Sequence, residues 1–315
     1  MRIAIFTHYY LSNNYGGNLQ AYALCKVLED LGHEADQVCY LRNTNVKQSM
    51  IFRMKKRLKS SIKNATIILY DKNFFKNIDM RKRAICVFNQ ESIPHTNKVY
   101  DDTCISLLNE EYDFFITGSD QVWHPNVLCS GYLLEFCDSP SKKISYAASI
   151  ATNKIDLQSE NRLKKALSSF SHISTREQDS VSLLSEMGIR DCEWVLDPTL
   201  LLTSEEWRKT AQPFKIEKDY VLTYFLGDNE QSRQNALEYA KRNGLLLVSL
   251  PFLLNSYRKC DRGYGDIQLY AVSPEQLLYL IDHSKAVFTD SFHATVFSIL
   301  LSTPFLFLKG IRWIR

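Results

Sequence analysis

Short apolar runs alternate with helical stripes of apolar residues along most of the chain, and this pattern predicts an α/β protein with mostly parallel sheets. The first repeat of the pattern is a buried strand at 3–6, a loop over 13–18 and a helix that ends at Gly32. Further strands are predicted at 35–40, 114–117, 143–148, 172–175 and 194–196, and apolar helical stripes at 163–170 and 181–187.

Pro213 separates this series from a second one, which begins with a strand at 220–226. The remaining predicted strands are 245–250, 286–289 and 305–308, and the helices are 230–242, 274–281 and 292–301. A chain of 315 residues exceeds what one hydrophobic core usually supports. We therefore predict an N-terminal α/β domain over 1–212 and a C-terminal α/β domain over 213–315.

Residues 42–63 interrupt the first series with eight Lys and Arg residues and no acidic residue. Ile51, Met54, Leu58 and Ile62 recur at helical spacing, which predicts a basic amphipathic helix. Two interpretations stay open. The helix is either a solvated insertion with one face on the protein, or it binds an anionic membrane surface through 47–63.

The composition is that of an ordinary globular protein, with 45% apolar and 23% charged residues. A net charge of +3 does not indicate a nucleic-acid partner, so none is predicted. The sequence has no secretory signal, no apolar run of about 18 residues and no C-x-x-C pair among its eight cysteines. We expect no metal site and a cytoplasmic protein, at most peripheral at the inner membrane surface.

The turn from Asp290 to His293 follows a buried strand and opens a helix, so Asp290 or Ser291 is the expected N-cap. His293 falls in the first helical turn, where free backbone N–H groups and the helix dipole favour an anion. An imidazole beside a bound anion can hold a proton. A capping residue with an incidental histidine is an equally supported alternative.

Two further polar clusters follow strands of the N-terminal domain. Asp120, between Ser119 and Gln121, is a carboxylate that could act as a base, and the alternative is an Asx-type turn. Arg176 offers planar donors to carboxylate or phosphate oxygens, and the alternative is an ion pair with Glu177 or a nearby carboxylate. Since ligands of open α/β sheets bind at the carboxyl ends of the strands, these clusters are the expected ligand contacts.

A glycine-rich turn precedes the first helix. Asn14, Tyr15, Gly16 and Gly17 are typical of a turn that cradles a ligand, and Gln20 follows them in the helix. The spacing is not the G-x-G-x-x-G of dinucleotide sites, and no Walker lysine follows. No G-x-S-x-G elbow occurs either, so a common class of hydrolase is excluded.

Taken together, these segments resemble the polysaccharide pyruvyl transferase family. Six motifs occur in the family's order and cover nearly the whole chain, which makes the resemblance specific. They are Asn14-Tyr15-Gly16 with Leu19-Gln20-Ala21-Tyr22-Ala23-Leu24, Gly118-Ser119-Asp120-Gln121-Val122-Trp123, Ser145-Tyr146-Ala147-Ala148-Ser149, Ser174-Thr175-Arg176-Glu177, Asp197-Pro198-Thr199 and Thr289-Asp290-Ser291-Phe292-His293.

The resemblance implies a GT-B-like fold with two facing Rossmann-type domains. It also implies transfer of a pyruvyl group from phosphoenolpyruvate onto two hydroxyls of a sugar, which forms a ketal on a cell-surface polysaccharide or its lipid-linked precursor. The N-terminal domain would take the acceptor and the C-terminal domain the donor. No metal and no cofactor other than the donor substrate are implied.

The resemblance also suggests roles for the residues. His293 contacts the phosphate and is the expected acid, Arg176 holds phosphate or carboxylate, and Asp120 accepts a proton from the sugar hydroxyl. Arg258 and Lys259, in a polar loop, are further candidates. The other expected substrate contacts are Asn14, Tyr15, Gly16, Gly17, Gln20, Ser119, Gln121, Asp290 and Ser291.

Two departures from the family pattern bear on activity. Ala294 stands where the family usually has glycine, and the chain ends at Arg315, soon after its last predicted strand, so we expect a truncated C-terminus. One alternative function is a GT-B glycosyltransferase that uses a nucleotide sugar, although residues 291–315 contain no Asp or Glu to hold a ribose. A saccharide-binding protein without catalytic activity is the other alternative.

Overall fold

The computed structural model describes residues 1–42, 67, 69, 71–254 and 257–308. They form two compact α/β units. The first comprises the described residues of Met1–Thr44 and Asn89–Leu202, and the second those of Asn45–Phe88 and Thr203–Arg315. Apart from Arg42, the basic segment 42–63 lies outside the described residues, so its helix and its membrane contact stay predictions.

The first unit is built on a five-stranded sheet in which every neighbouring pair is parallel. Its strands are β1 (Arg2–Phe6), β2 (Glu34–Tyr40), β3 (His95–Tyr100), β4 (Phe114–Thr117) and β5 (Lys143–Ser145), and their order is β3-β2-β1-β4-β5. Helix α1 (Tyr15–Asp30) connects β1 to β2. After its first residue β1 is buried throughout, as expected for a central parallel strand covered on both faces.

Two short parallel strands, β6 (Ile173–Thr175) and β7 (Cys192–Trp194), follow in the same unit. Helices α3 (Leu157–Leu167) and α4 (Gln178–Glu186) precede them in turn. Isolated parallel bridges, Ile144 to His172 and Ala148 to Thr175, join β6 to the chain around β5. The predicted strand at 143–148 ends early because Ala147 has a φ of 53°, which no strand accommodates.

The second unit repeats this topology. Its strands are β8 (Tyr220–Tyr224), β9 (Leu246–Ser249), β10 (Ile267–Gln268), β11 (Ala286–Thr289) and β12 (Phe305–Phe307), in the order β10-β9-β8-β11-β12 and all parallel. Its helices include α2 (Phe74–Ser92, of which Phe74–Phe88 belong here), α5 (Ser204–Thr210), α6 (Glu230–Arg242), α7 (Pro274–Asp282) and α8 (Phe292–Leu300).

Each sheet has one topological switch point, where strand order reverses. In the first sheet the chain proceeds outward from β1 to β3 and then returns to place β4 on the other side of β1. In the second sheet the chain likewise proceeds outward from β8 to β10 and then returns to place β11 on the other side of β8. Ligands of doubly wound sheets bind beyond the carboxyl ends of the two strands at this point. The topology therefore singles out the segments after β1, β4, β8 and β11.

The observed units differ from the predicted boundary at 212/213. Helix α5 belongs to the second unit, where the fully buried Trp207 packs edge-to-face on Phe297 with ring centroids 4.9 Å apart. Arg208 of the same helix forms an ion pair with Asp282 at 3.0 Å. The sequence alone could not predict that Trp207 and Arg208 pack in the second unit, because their partners lie about 75 to 90 residues further along the chain.

Helix α2 was not predicted from the sequence, and its residues Phe74–Phe88 belong to the second unit. Its buried stripe includes Asn77 and Arg81, and these polar residues conceal the helical period of the apolar ones. Arg81 is 1% exposed. Its nitrogens donate to the carbonyl oxygens of Pro251 at 2.8 Å, Leu269 at 3.0 Å and Tyr270 at 3.2 Å.

A capping box starts α5. Thr203 Oγ1 accepts a hydrogen bond from the Glu206 N–H at 3.3 Å, and the Glu206 carboxylate accepts one from the Thr203 N–H at 2.7 Å. We expect Thr203→Ala to lower the free energy of unfolding by about 1 kcal/mol, measured by urea denaturation. Thr203→Ser keeps the hydroxyl and is the control. Equal losses in the two variants would contradict the role of the cap.

Candidate active site

Asp120 lies just beyond the carboxyl end of β4, at the switch point of the first sheet. Its φ of 65° is in the left-handed region, which a residue with a Cβ adopts only when its surroundings hold it there. Its carbonyl oxygen accepts hydrogen bonds from the N–H of Val122 at 2.7 Å and of Ser149 at 3.0 Å. Its side chain is 14% exposed, so solvent and small ligands can reach it.

Arg176 follows β6 and is surrounded by three carboxylates. Its Nη1 donates to Asp197 at 3.0 Å and its Nε to Glu177 at 3.2 Å, while Nη2 lies 3.9 Å from Asp120 Oδ1. Burial opposes the charged form of the guanidinium, but the three carboxylates outweigh it and raise the pKa of Arg176. The arginine is therefore a fixed cation that holds the Asp120 carboxylate in place.

Ser119 and Asp197 form the buried side of the same cluster. The Ser119 hydroxyl, with no exposed surface, donates to Asp197 at 2.7 Å. Asp197 also accepts hydrogen bonds from the N–H of Thr199 at 3.0 Å and from its hydroxyl at 2.7 Å. Ser119, predicted to bind substrate, thus connects the end of β4 to a buried carboxylate. A direct contact of Ser119 with substrate stays a prediction.

The glycine-rich segment 14–18 is the first turn of α1 and not the loop expected from the sequence. Asn14 is the N-cap and accepts a hydrogen bond from the Gly16 N–H at 3.1 Å, so the helix begins at Tyr15. A Cβ at Gly17 would lie 2.7 Å from the carbonyl oxygen of His8 and 3.5 Å from Asp120 Oδ2. Glycine is required there because the helix start packs against both strand ends.

Tyr15 and Gln20 are buried within this arrangement. Gln20 Nε2 donates to Thr7 Oγ1 at 2.6 Å and to the Gly17 carbonyl at 2.8 Å, so it joins the end of β1 to the start of α1. Both residues were predicted substrate contacts. In the structure they are buried and hold the start of α1 against the end of β1. Their contact with substrate stays a prediction.

His8, which follows β1, is a residue of this site that the sequence pattern did not predict. Its Nε2 donates to the carbonyl oxygen of Gln121 at 3.3 Å, and its Nδ1 lies 3.2 Å from the Tyr132 hydroxyl. Burial raises the pKa of Tyr132, so this hydroxyl stays protonated. The available signal was the position of His8, since it follows the first strand of a βαβ unit. Gln121 takes part through its backbone, and its side chain is exposed.

Asp290 follows β11 at the switch point of the second sheet and organises the loop after β8. Its carboxylate oxygens accept hydrogen bonds from the N–H groups of Leu226 at 2.5 Å and Gly227 at 2.7 Å. Arg233, which is 4% exposed, donates to the Gly227 carbonyl at 3.0 Å. Asp290 therefore fixes the segment after β8, and its role as a substrate contact stays a prediction.

Ser291 is the N-cap of α8, which decides between the two expected caps. Its hydroxyl accepts a hydrogen bond from the Ala294 N–H at 3.4 Å. His293 lies in the first turn, as the sequence predicted, and is 8% exposed. Ala294 is buried at 3%, so its methyl group packs inside the unit. The imidazole of His293 thus lies at the N-terminal end of α8, where the first backbone N–H groups of the helix are also found.

The environment of Asp290 predicts a pH effect on stability. Burial raises the pKa of Asp290, against the hydrogen bonds from Leu226 and Gly227, which favour the carboxylate. A carboxyl group with a raised folded-state pKa holds its proton more tightly when folded, so it adds stability as the pH falls through that pKa. We expect the unfolding free energy of wild type, relative to Asp290→Asn, to rise as the pH is lowered from neutral. A difference that does not change with pH would contradict this expectation.

The structure brings most of the predicted residues into two groups. Asp120, Ser119, Arg176 and the start of α1 meet in the first unit, and Asp290, Ser291 and His293 meet in the second. Arg258 and Lys259 are in neither group, because their loop follows β9. Among the described residues, no cluster of three His, Cys, Asp or Glu side chains could hold a metal ion. No helix in the described ranges is long and apolar enough to cross a membrane.

Two Rossmann-type units with polar groups at both switch points define the class of the protein, a GT-B-like α/β fold. The family model for polysaccharide pyruvyl transferase matches residues 14–309, so the chain belongs to that family. The chain is therefore a transferase of polysaccharide biosynthesis. No curated protein matches it in sequence.

Solved structures support the fold. The UDP-GlcNAc 2-epimerase of Neisseria meningitidis, bound to UDP-GlcNAc, is 11% identical with a TM-score of 0.55, over 100% of this chain and 84% of the epimerase. The epimerase of Methanocaldococcus jannaschii is 12% identical with a TM-score of 0.53, over 98% and 84%. An alpha-glucosyltransferase in complex with UDP and DNA is 12% identical with a TM-score of 0.52, over 91% and 71%. At these identities the similarity shows the fold alone.

Proposed function

We propose that the protein transfers a pyruvyl group from phosphoenolpyruvate onto two hydroxyls of a saccharide, in a polysaccharide or its lipid-linked precursor. Family membership supports the reaction, and the observation that carries the assignment of residues is the position of His293. This imidazole lies in the first turn of α8, at the switch point of the second sheet. Such a helix start favours a phosphate or a carboxylate, and phosphoenolpyruvate carries both.

The proposed reaction begins with a proton transfer to the methylene carbon of phosphoenolpyruvate. His293 is the proposed proton donor, since it is a titratable group beside the anion site. One sugar hydroxyl then bonds to the carbon that carries the phosphate, and Asp120 accepts its proton. Phosphate leaves with the bonding electron pair of its C–O bond. The second hydroxyl bonds to the same carbon and passes its proton to His293, while the proton held by Asp120 is released with the phosphate. The products are a ketal and inorganic phosphate.

The two units then have different roles. The first takes the acceptor, because the Asp120 carboxylate at its switch point is 14% exposed and can accept the proton of a sugar hydroxyl. The second takes the donor, because α8 has no acidic residue in its first turn. Arg176 is assigned to position Asp120 and not to bind phosphate, since its Nε and Nη1 already donate to carboxylates.

Incubation of the purified protein with phosphoenolpyruvate and a panel of galactosides and lipid-linked saccharides tests the proposal. We expect inorganic phosphate to appear in step with a product that carries a new methyl group on a ketal carbon, seen by NMR. Without acceptor, phosphate release should be absent. If the protein consumed UDP-GlcNAc with any acceptor and did not consume phosphoenolpyruvate, it would instead be a nucleotide-sugar transferase.

A further inference from the structure

Arg42, the one described residue of the basic segment 42–63, lies at the carboxyl edge of the first sheet. It follows the end of β2 at Tyr40 by two residues. In the sheet β2 pairs with β1 and β1 pairs with β4, all in parallel. Arg42 is therefore on the same edge as His8 and Asp120, where ligands of such sheets bind. The proposed reaction assigns it no role.

The guanidinium of Arg42 is partly inserted into the protein and has no ionic partner there. Its Nη1 is buried and makes no hydrogen bond, while the side chain as a whole keeps some exposed surface. Across the described ranges, no ion pair includes Arg42. The buried Arg81 and Arg233, by contrast, donate to carbonyl and carboxylate oxygens. Partial burial of a charged group without a partner costs free energy, which a bound anion would offset.

The side chains around Arg42 do not neutralise it. Burial raises the pKa of the Cys129 thiol to about 11, although the charge of Arg42 lowers it, so the thiol stays protonated. The Tyr132 hydroxyl stays protonated for the same reason. Asp102, which also acts on Cys129, is exposed, and its carboxylate accepts a hydrogen bond from the Tyr40 hydroxyl. Solvent screens an exposed carboxylate of this kind.

Tyr132 connects Arg42 to the acceptor side of the site. Burial raises the pKa of its hydroxyl most, the Arg42 guanidinium lowers it and the Asp120 carboxylate raises it, so both charges are near this one group. The hydroxyl is also 3.2 Å from His8 Nδ1, and the two rings meet edge-to-face with centroids 4.7 Å apart. A saccharide whose hydroxyls lie at Asp120 therefore has neighbouring groups within reach of Arg42.

Arg42 and Arg176 differ in what they can bind. Arg176 already donates to the carboxylates of Glu177 and Asp197 at 3.2 and 3.0 Å. Arg42 has no such contact among the described side chains, so its planar donors can serve a ligand. A guanidinium binds carboxylate and phosphate oxygens best, because its fork of N–H groups matches their geometry.

We propose that Arg42 binds an anionic group of the acceptor, a phosphate or a carboxylate, while the hydroxyls that react lie at Asp120. The acceptor is then an acidic saccharide, whose anion is a phosphate ester or a uronate. The inference rests on the proposed function in one respect, since it takes the first unit as the acceptor side. It concerns binding, which can be measured without phosphoenolpyruvate.

Titration calorimetry of the whole protein with matched hexose derivatives tests the proposal. Each set contains the methyl glycoside, the 1-phosphate and the methyl uronide of one hexose. For at least one hexose we expect an anionic member to bind about tenfold or more tightly than the neutral glycoside, and the difference to shrink as salt is added. The preferred anionic member distinguishes a phosphate from a carboxylate.

Arg42→Met should remove the preference for the anionic member and leave binding of the neutral glycoside unchanged. Arg190→Met is the matched control, because Arg190 is an exposed arginine of the same unit that precedes β7 and so lies at the amino end of that strand. It should bind all three members as wild type does.

Thermal unfolding distinguishes a binding role of Arg42 from a structural one. Because Nη1 is buried without a hydrogen bond, we expect Arg42→Met to be at least as stable as wild type. A marked fall in its melting temperature would show that Arg42 holds the fold, and this would overturn the proposal.

Other results would also overturn it. They are equal binding of neutral and anionic members by wild type, equal affinity for inorganic phosphate alone, and a preference that persists in Arg42→Met or is lost equally in Arg190→Met. Loss of the preference in His293→Gln, with none in Arg42→Met, would place the anion in the second unit. Pyruvyl transfer to neutral saccharides with no preference for anionic ones would remove this proposal and leave the proposed function intact.

Discussion

Replacing His293 by glutamine should lower the rate of phosphate release from phosphoenolpyruvate by about 100-fold or more. Proton transfer by a positioned side chain contributes roughly 10²–10⁴-fold, and glutamine keeps hydrogen-bonding capacity but cannot deliver a proton at neutral pH. The imidazole is 8% exposed and lies in the first turn of α8. The measurement is the initial rate of phosphate release at saturating donor and acceptor.

His283→Gln is the matched control for this substitution. His283 is an exposed histidine at the end of α7, where it stacks on Tyr279 with ring centroids 3.7 Å apart. We expect this variant to retain the wild-type rate. A normal rate in His293→Gln, or an equal fall in both variants, would remove His293 from the mechanism and leave the fold assignment intact.

The sequence predicted those elements best whose signal is local. Helix α6 (Glu230–Arg242) has the predicted bounds, because Asn229 caps it and basic residues complete its last turn. Strands β4 and β11 also have the predicted bounds, and both are short apolar runs flanked by polar residues. The local signals fail at β3, a strand at the edge of its sheet in which three consecutive residues are exposed.

Local signals also predicted where two of the candidate site residues lie in the fold. Asp120 and His293 each follow a buried strand, and that position can be read from the chain. The partners of Asp120 could not be predicted, since the carboxylates of Asp197 and Glu177 are linked to its carboxylate through Arg176, which lies far along the sequence. Parallel strands bring distant segments together, and the register that does so is a property of the folded sheet.

Replacing Arg176 by methionine should lower the free energy of unfolding by about 3–5 kcal/mol, because it removes one partner of a buried ion pair. Asp197 has no exposed side-chain surface and would remain as a buried charge. The raised pKa of Arg176 means that its contribution is present at all pH values below its unfolded pKa, and is lost only as the pH rises through the folded value. The loss measured by urea denaturation should therefore be the same throughout the neutral range.

The same variant separates the two roles considered for Arg176. If it positions Asp120, Arg176→Met should lower kcat and leave KM for phosphoenolpyruvate near the wild-type value, because the acceptor's base is displaced and the donor is not. If Arg176 binds the donor's phosphate, KM for phosphoenolpyruvate should rise instead. Arg176→Lys keeps the charge but loses the planar set of donors, which here serves two carboxylates at once. Positioning therefore predicts that lysine restores stability more fully than it restores kcat, whereas parallel recovery of both would contradict it.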